Sequence, residues 1–255
     1  REQHLALSEG SVQAVAGPVH AQVAYAAAGV PLAVVLQVSR STGADALVAR
    51  PEIGSVEELR GKTVAVDGPG TAPFFLLNAI LKDHGVELED LLLTTLEPEE
   101  AAFAFATGQF DAIVTSEPYL SHLRDDPEDG RILISSNDHP LIVETLAVDR
   151  ALARDQPAVV DAIVRGYFAA LGIIAEDPAG ASARAASAGV RVGGTLDTAA
   201  DHLEWPDAGA QQRFFENELA ALLSEIAEIQ KQVGVIEEVP DIETMVEPSF
   251  VKAMR

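Results

Sequence analysis

Lys62-Thr63-Val64-Ala65-Val66, then Asp67-Gly68-Pro69-Gly70-Thr71-Ala72, then the apolar-periodic run Pro73–His84 read as strand, loop and helix in immediate succession. β-branched residues fill the strand. Proline opens the helix, where its missing N–H costs nothing. The same unit recurs: Leu91–Leu96 reads as a strand, Pro98–Thr107 as a helix ended by Gly108, and Phe110–Thr115 as a third strand. Strands alternating with helices at this spacing predict a mainly parallel α/β sheet. Residues 60–137 are therefore expected to form one compact lobe.

Outward from this block, Val12–Ala16 reads as a strand ending at Gly17-Pro18, and His20–Ala28 as a helix with Gly29 past its end. Leu32–Val38 and Ala44–Arg50, joined by the turn-rich Ser39-Arg40-Ser41-Thr42-Gly43, are expected to pair as strands. Ser55-Val56-Glu57-Glu58 carries a capping-box pattern. Beyond Leu141–Val148 the chain turns helical, with helices expected at about 157–176, 178–188 and 211–233. Residues 1–59 and 138–255 are thus expected to combine into a second lobe. The chain would cross between lobes near Arg50–Arg60 and again near Pro140–Asp149, which implies a hinge.

The 255 residues carry 40 acidic and 17 basic side chains, a formal charge of -23, so the average surface repels nucleic-acid phosphates and anionic headgroups. Nucleic acid is excluded as a partner on this ground. The absence of cysteine removes disulfides, thiolate metal sites and cysteine nucleophiles. No uninterrupted apolar run approaches the ~20 residues of a membrane span, so a soluble chain is expected. With neither an initiating Met nor a leader pattern, it reads as a processed or truncated product.

Polar junctions between strands and helices carry the candidate binding residues. Gly70, Thr71 and Ala72 precede a helix whose first N–H groups suit an anion. The run nearly spells G-x-G-x-x-G, but Pro73 stands at the third glycine and no basic residue follows, which disfavours a dinucleotide or nucleoside triphosphate. Glu117, in Thr115-Ser116-Glu117-Pro118-Tyr119, stands at another helix start, where it serves either as a cap or as part of a binding wall. Ser135 and Ser136 begin Ser135-Ser136-Asn137-Asp138-His139-Pro140, a turn-rich cluster at the expected return crossing. Catalytic alternatives lack support. The six histidines show no H-E-x-x-H spacing, and there is no G-x-S-x-G elbow. No metal, cofactor or catalytic residue is expected.

Taken in order, Gly10–Gly17, Ser41–Ala49, Ser55–Val66, Gly108–Pro118 and Glu247–Val251 resemble the sulfonate, nitrate and taurine class of ABC-transporter substrate-binding proteins. The resemblance implies two α/β lobes hinged about a ligand cleft, with Gly17, Pro18, Ser39 and Arg40 lining one lobe. Gly70, Thr71, Ala72, Glu117, Ser135 and Ser136 would line the other. It further implies an exported monomer that binds a small organic or anionic ligand, sulfonate or taurine first, and hands it to a membrane permease. Members of that class usually begin about fifty residues before Arg1, with a strand and helix that contact ligand. Two other classes compete. One is an enzyme on the same fold, such as a relative of the pyrimidine-precursor synthases, whose cysteine-rich motif this chain lacks, or of a menaquinone-pathway dehydratase. The other is a ligand-sensing regulatory domain, which fused signalling segments would betray.

Overall fold

A computed structural model describes residues 2–125, 130–188 and 202–252. The described residues fall into two compact units, one of 2–39, 143–188 and 205–252, the other of 40–125, 130–142 and 202–204. Both are α/β, as the strand and helix alternation predicts.

In the first unit, β1 (Ala14–Pro18), β8 (Val143–Asp149) and β2 (Leu32–Ser41) lie side by side; the last residues of β2, Arg40 and Ser41, belong to the second unit and pair there with β9 (Leu203–Glu204). β1 runs antiparallel to β8, with Gly17 opposite Thr145 and Pro18 opposite Glu144. The run Leu32-Ala33-Val34-Val35-Leu36 is buried throughout, as a strand covered on both faces must be. Helix α2 (Val19–Ala27) packs against the helix Leu219–Gln232, whose Leu219, Leu222, Leu223, Ile226 and Ile229 recur at helical spacing and are buried. The Gln230 Nε2 group donates to the His20 carbonyl at 2.7 Å, fixing the two helices together. Helices α6 (Arg150–Asp155), α7 (Pro157–Glu176) and α8 (Pro178–Ser187) follow β8.

By length and composition α7 could cross a membrane, although its apolar run is interrupted. Its only charged residues before the terminal Glu176 are Asp161 and Arg165, which sit one turn apart and pair at 3.4 Å. Val159, Ile163 and Ile173 on α7 are exposed.

The second unit is a five-stranded sheet in the order β5 (Leu92–Thr95), β4 (Thr63–Val66), β6 (Ala112–Ser116), β3 (Asp45–Ala49), β7 (Arg131–Ser135). β5, β4 and β6 are parallel, joined by α3 (Ala72–Asp83) and α4 (Pro98–Ala106). β3 runs antiparallel to both β6 and β7. Phe105 is fully buried among Ala46, Val48, Ala65, Ile113 and Leu120. The Arg50 guanidinium covers the face of its ring at 4.1 Å.

Two expectations are corrected here. β2 and β3 do not pair, because all five residues of β3 are buried and such a strand needs partners on both edges and cover on both faces. The centre of the second sheet provides both. The lobe boundary moves with it: β3 belongs to the second unit, so the outward crossing falls at Ser39–Arg40 inside β2 rather than at Arg50–Arg60, and the expected span 60–137 widens to 40–142. The return crossing, between Ile142 and Val143, falls within the expected Pro140–Asp149.

Candidate functional site

The topology of the second unit collects its polar junctions at one end of the sheet. Three parallel strands finish there, β4 into Asp67–Thr71 and β6 into Glu117. β3, running the other way, begins there with Asp45, and β7 finishes there with Ser135 and Ser136. Ligands of open α/β sheets lie beyond such carboxyl ends.

The Asp67–Thr71 loop is a tight turn. Thr71 N and Thr71 Oγ1 both donate to the Gly68 carbonyl, at 3.2 and 2.9 Å. Gly70 has φ +95°, in the region that a Cβ disfavours. Thr71 is the N-cap of α3, and no side chain caps that helix. Gly70, Thr71 and Ala72 remain partly exposed. The Thr71 hydroxyl has spent its proton on Gly68, so towards a ligand it offers lone pairs, and an anion would be held by the backbone N–H groups of the first turn.

A second cluster is buried. Ser136, fully enclosed, shares a 2.6 Å hydrogen bond with Ser41 and accepts from Gly43 N at 2.9 Å and Asp45 N at 3.3 Å. Ser41 Oγ in turn donates to Asp45 Oδ2 at 2.7 Å. Ser135 donates its amide and hydroxyl to Asp138 Oδ2 at 3.0 and 3.1 Å, closing its own turn. Both serines therefore serve the loop that ends β7. Glu117 N donates to the Ala44 carbonyl at 2.8 Å, and its Oε2 accepts from Ser121 N and Oγ at 3.0 and 2.6 Å, capping α5 (Tyr119–Asp125). The Glu117–Pro118 peptide is cis. Burial pushes the Asp45 carboxyl up to about 6. The Ser41 hydrogen bond opposes that shift, and the Glu117 charge reinforces it.

In the first unit, β1 and β2 finish, and β8 begins, at one end of the sheet. Gly17, Pro18 and Ser39 stand there with Glu144 and Thr145. Gln22, on α2, donates to the Thr145 carbonyl at 3.0 Å, while Thr145 Oγ1 donates to Gln22 Oε1 at 2.8 Å. His20 is buried, which lowers its pKa to about 4 and keeps the imidazole neutral at pH 7. Arg40, expected beside Ser39, is assigned to the second unit.

The structure thus places Gly17, Pro18, Ser39, Gly70, Thr71, Ala72 and Glu117 at strand ends, and adds Ser41 and Asp45, which the sequence does not single out, at the end of the second sheet. The signal for Asp45 was available: an acid inside an otherwise apolar, strand-length run is rarely buried unless it is paired, and here Ser41 supplies the partner. Among the described residues no group of three or more His, Cys, Asp or Glu side chains could hold a metal.

The profile of the NMT1-like family matches residues 2–190. The taurine-binding periplasmic protein of Escherichia coli K12 is 29% identical over 153 residues, which make up 58% of this chain and 45% of that protein. The chain thus matches less than half the length of that curated relative. The periplasmic aliphatic sulphonate-binding protein SsuA of Escherichia coli shares the fold with TM-score 0.75 at 20% identity, over 96% of this chain and 82% of that one. The alkanesulfonate-binding protein SsuA of Xanthomonas axonopodis pv. citri, solved with MOPS bound, gives 0.68 at 21% identity, over 97% and 84%. With strand ends and polar loops arranged as described and the family profile spanning most of the sequence, the chain belongs to the NMT1-like family.

Proposed function

We propose that this chain is the solute-binding component of an ABC importer. It would work outside the cytoplasm as a monomer, capturing a small sulfonate- or taurine-like molecule and passing it to a membrane permease. The observation that carries this reading is the convergence, at one sheet end, of an uncapped helix N-terminus behind Gly70-Thr71-Ala72 with buried polar side chains and no cysteine nucleophile. Such an end can bind a small polar molecule by N–H groups and hydroxyls. The taurine- and sulfonate-binding names of its relatives supply the ligand class. Gly70, Thr71, Ala72 and Glu117 are the contacts assigned to the second unit, with Arg40 at its edge, and Gly17, Pro18 and Ser39 those of the first.

A thermal-shift screen tests the reading with taurine, linear alkanesulfonates, nitrate, a pyrimidine and a flavin. A ligand at a hundredfold excess over its Kd adds about 2.7 kcal/mol to the folded state, so a rise in Tm of several degrees is expected from at least one. Flat transitions across the panel, or turnover of whichever compound binds, would overturn it.

A further inference from the structure

The far end of the first sheet carries a cavity that the solute-binding reading does not use. β2 starts there with Leu32 and Ala33 and β8 finishes there, so it lies at the end opposite Gly17, Pro18 and Ser39. Its volume is about 360 Å³, in the lower part of the roughly 300–1,000 Å³ typical of small-ligand sites. Of its lining residues, Ala33 and Phe250 are buried and form the floor, while Arg150, Arg154 and Ser249 are exposed and form the rim. Arg150 N donates to the Pro31 carbonyl at 2.8 Å and Glu247 N to the Val34 carbonyl at 3.0 Å, which ties both walls to the start of β2.

The polar groups on this rim are not equally engaged. Asp155 binds Arg154 through contacts of 2.7 and 2.8 Å, and the Glu247 carboxylate accepts from Ser249 N at 3.1 Å. Thr244 has given its hydroxyl proton to the Asp241 carbonyl at 2.8 Å. The Arg150 guanidinium and the Ser249 hydroxyl, by contrast, make no hydrogen bond or ion pair with any described residue. In a chain of formal charge -23, a guanidinium without a carboxylate partner, set over an apolar floor, is a place where an anion is held against the general field. An adjoining cavity of about 350 Å³ shares Arg150 and Thr244 but also carries Asp241, whose carboxylate would repel an anion. The first cavity is the one suited to it.

We infer that this cavity is a second binding site, separate from the solute site, for a small amphiphilic organic anion. Arg150 receives the anionic head with its planar fork of donors, the Ser249 hydroxyl adds another donor, and the apolar body lies on Ala33 and Phe250. An exposed guanidinium alone holds a bare anion weakly in water, so head and body are both required.

Octanoate, octanol and acetate separate these parts as head with body, body alone and head alone. Each is titrated into isotope-labelled protein and followed by amide NMR, on the wild type, on Arg150→Gln and on Ala153→Leu, which fills the cavity without altering its charge. Octanoate is expected to shift the amides of Ala33, Ala153 and Phe250 saturably while Gly70 and Thr71 stay unmoved, with octanol and acetate each weaker by about tenfold or more. Arg150→Gln should weaken octanoate by about ten- to hundredfold, the range of a hydrogen bond to a charged group, and Ala153→Leu should abolish the saturable shifts. Both variants should keep the wild-type response in the solute screen, since neither touches that end of the sheet. Octanoate shifts centred on Gly70 and Thr71 or scattered over the surface, octanol binding as tightly as octanoate, or unchanged octanoate affinity in Arg150→Gln would each overturn the inference, whatever the solute screen gives.

Discussion

Ser41 and Ser136 meet hydroxyl to hydroxyl at 2.6 Å although 95 residues separate them. One stands where the chain enters the second unit and the other just before it leaves, so this contact ties the unit's two ends together. Ser136 also accepts from Gly43 N and Asp45 N. Replacing it with Ala removes the acceptor of these two backbone donors in a fully buried place. Each such unmet group costs about 1–3 kcal/mol, so Ser136→Ala is expected to lower stability by about 2–6 kcal/mol. Urea denaturation checks this: a loss under about 0.5 kcal/mol would mean that water or a shifted loop replaces the bonds.

The elements that local sequence chemistry governs were legible. The strand–loop–helix unit from Lys62, the helix from Pro157 to Glu176 and the strand-end glycine at position 70 all follow from periodicity, proline placement and turn composition. β3 was not placed correctly, because neighbouring runs suggest a hairpin and nothing local says that Asp45–Ala49 will be claimed by strands 60 to 90 residues onward. The Ser41–Ser136 contact was invisible for the same reason. Each serine looks like ordinary turn chemistry until the fold joins them. Asp45 is legible as an acid at the head of an apolar run, but its partner Ser41 is not, because only the fold turns the chain back between them.

Phe105 offers a test of the second unit's core. It is fully enclosed between α4 and the sheet, with Arg50 across its ring. Phe105→Ala removes its contacts and opens a cavity, at a cost of about 3–5 kcal/mol, whereas Phe105→Leu should lose less than half of that. Denaturation midpoints of the two variants compare the costs directly, and equal losses would show that the ring's shape is not what the core requires.

The loop behind α3 separates two ways of holding a ligand. Thr71→Ala removes a hydroxyl already committed to the Gly68 carbonyl, so affinity for the tightest-binding member of the screen should fall only about threefold. Gly70→Val places a branched side chain at φ +95°, strained by at least about 1–2 kcal/mol, and should reorganise the turn and weaken binding by about tenfold or more. If the threonine change proves the more damaging of the two in calorimetry, the hydroxyl and not the helix N-terminus is the contact.

His20 and Asp45 give the chain a pH dependence with two opposed contributions. His20 has a folded pKa of about 4 against an ordinary 6.5. As pH falls from 6.5 to 4, the unfolded chain takes a proton that the buried imidazole refuses, and stability declines by on the order of 3 kcal/mol. Asp45 works the other way: its folded pKa of about 6 lies above an ordinary 3.8. Above pH 6 both states carry the charge and the folded state bears the whole penalty of burying it. Between pH 6 and 3.8 the folded carboxyl takes the proton first, and stability rises by on the order of 3 kcal/mol. The windows overlap and nearly cancel in the wild type. Asp45→Asn is therefore expected to be more stable than the wild type at pH 8, with the advantage gone by pH 4. His20→Gln should gain stability relative to the wild type only on acidification. Urea titrations of the three proteins at pH 8, 6 and 4 read both trends. An Asp45→Asn advantage that stayed constant across that range would mean the carboxylate does not titrate there, so the charge would have to be compensated within the folded chain.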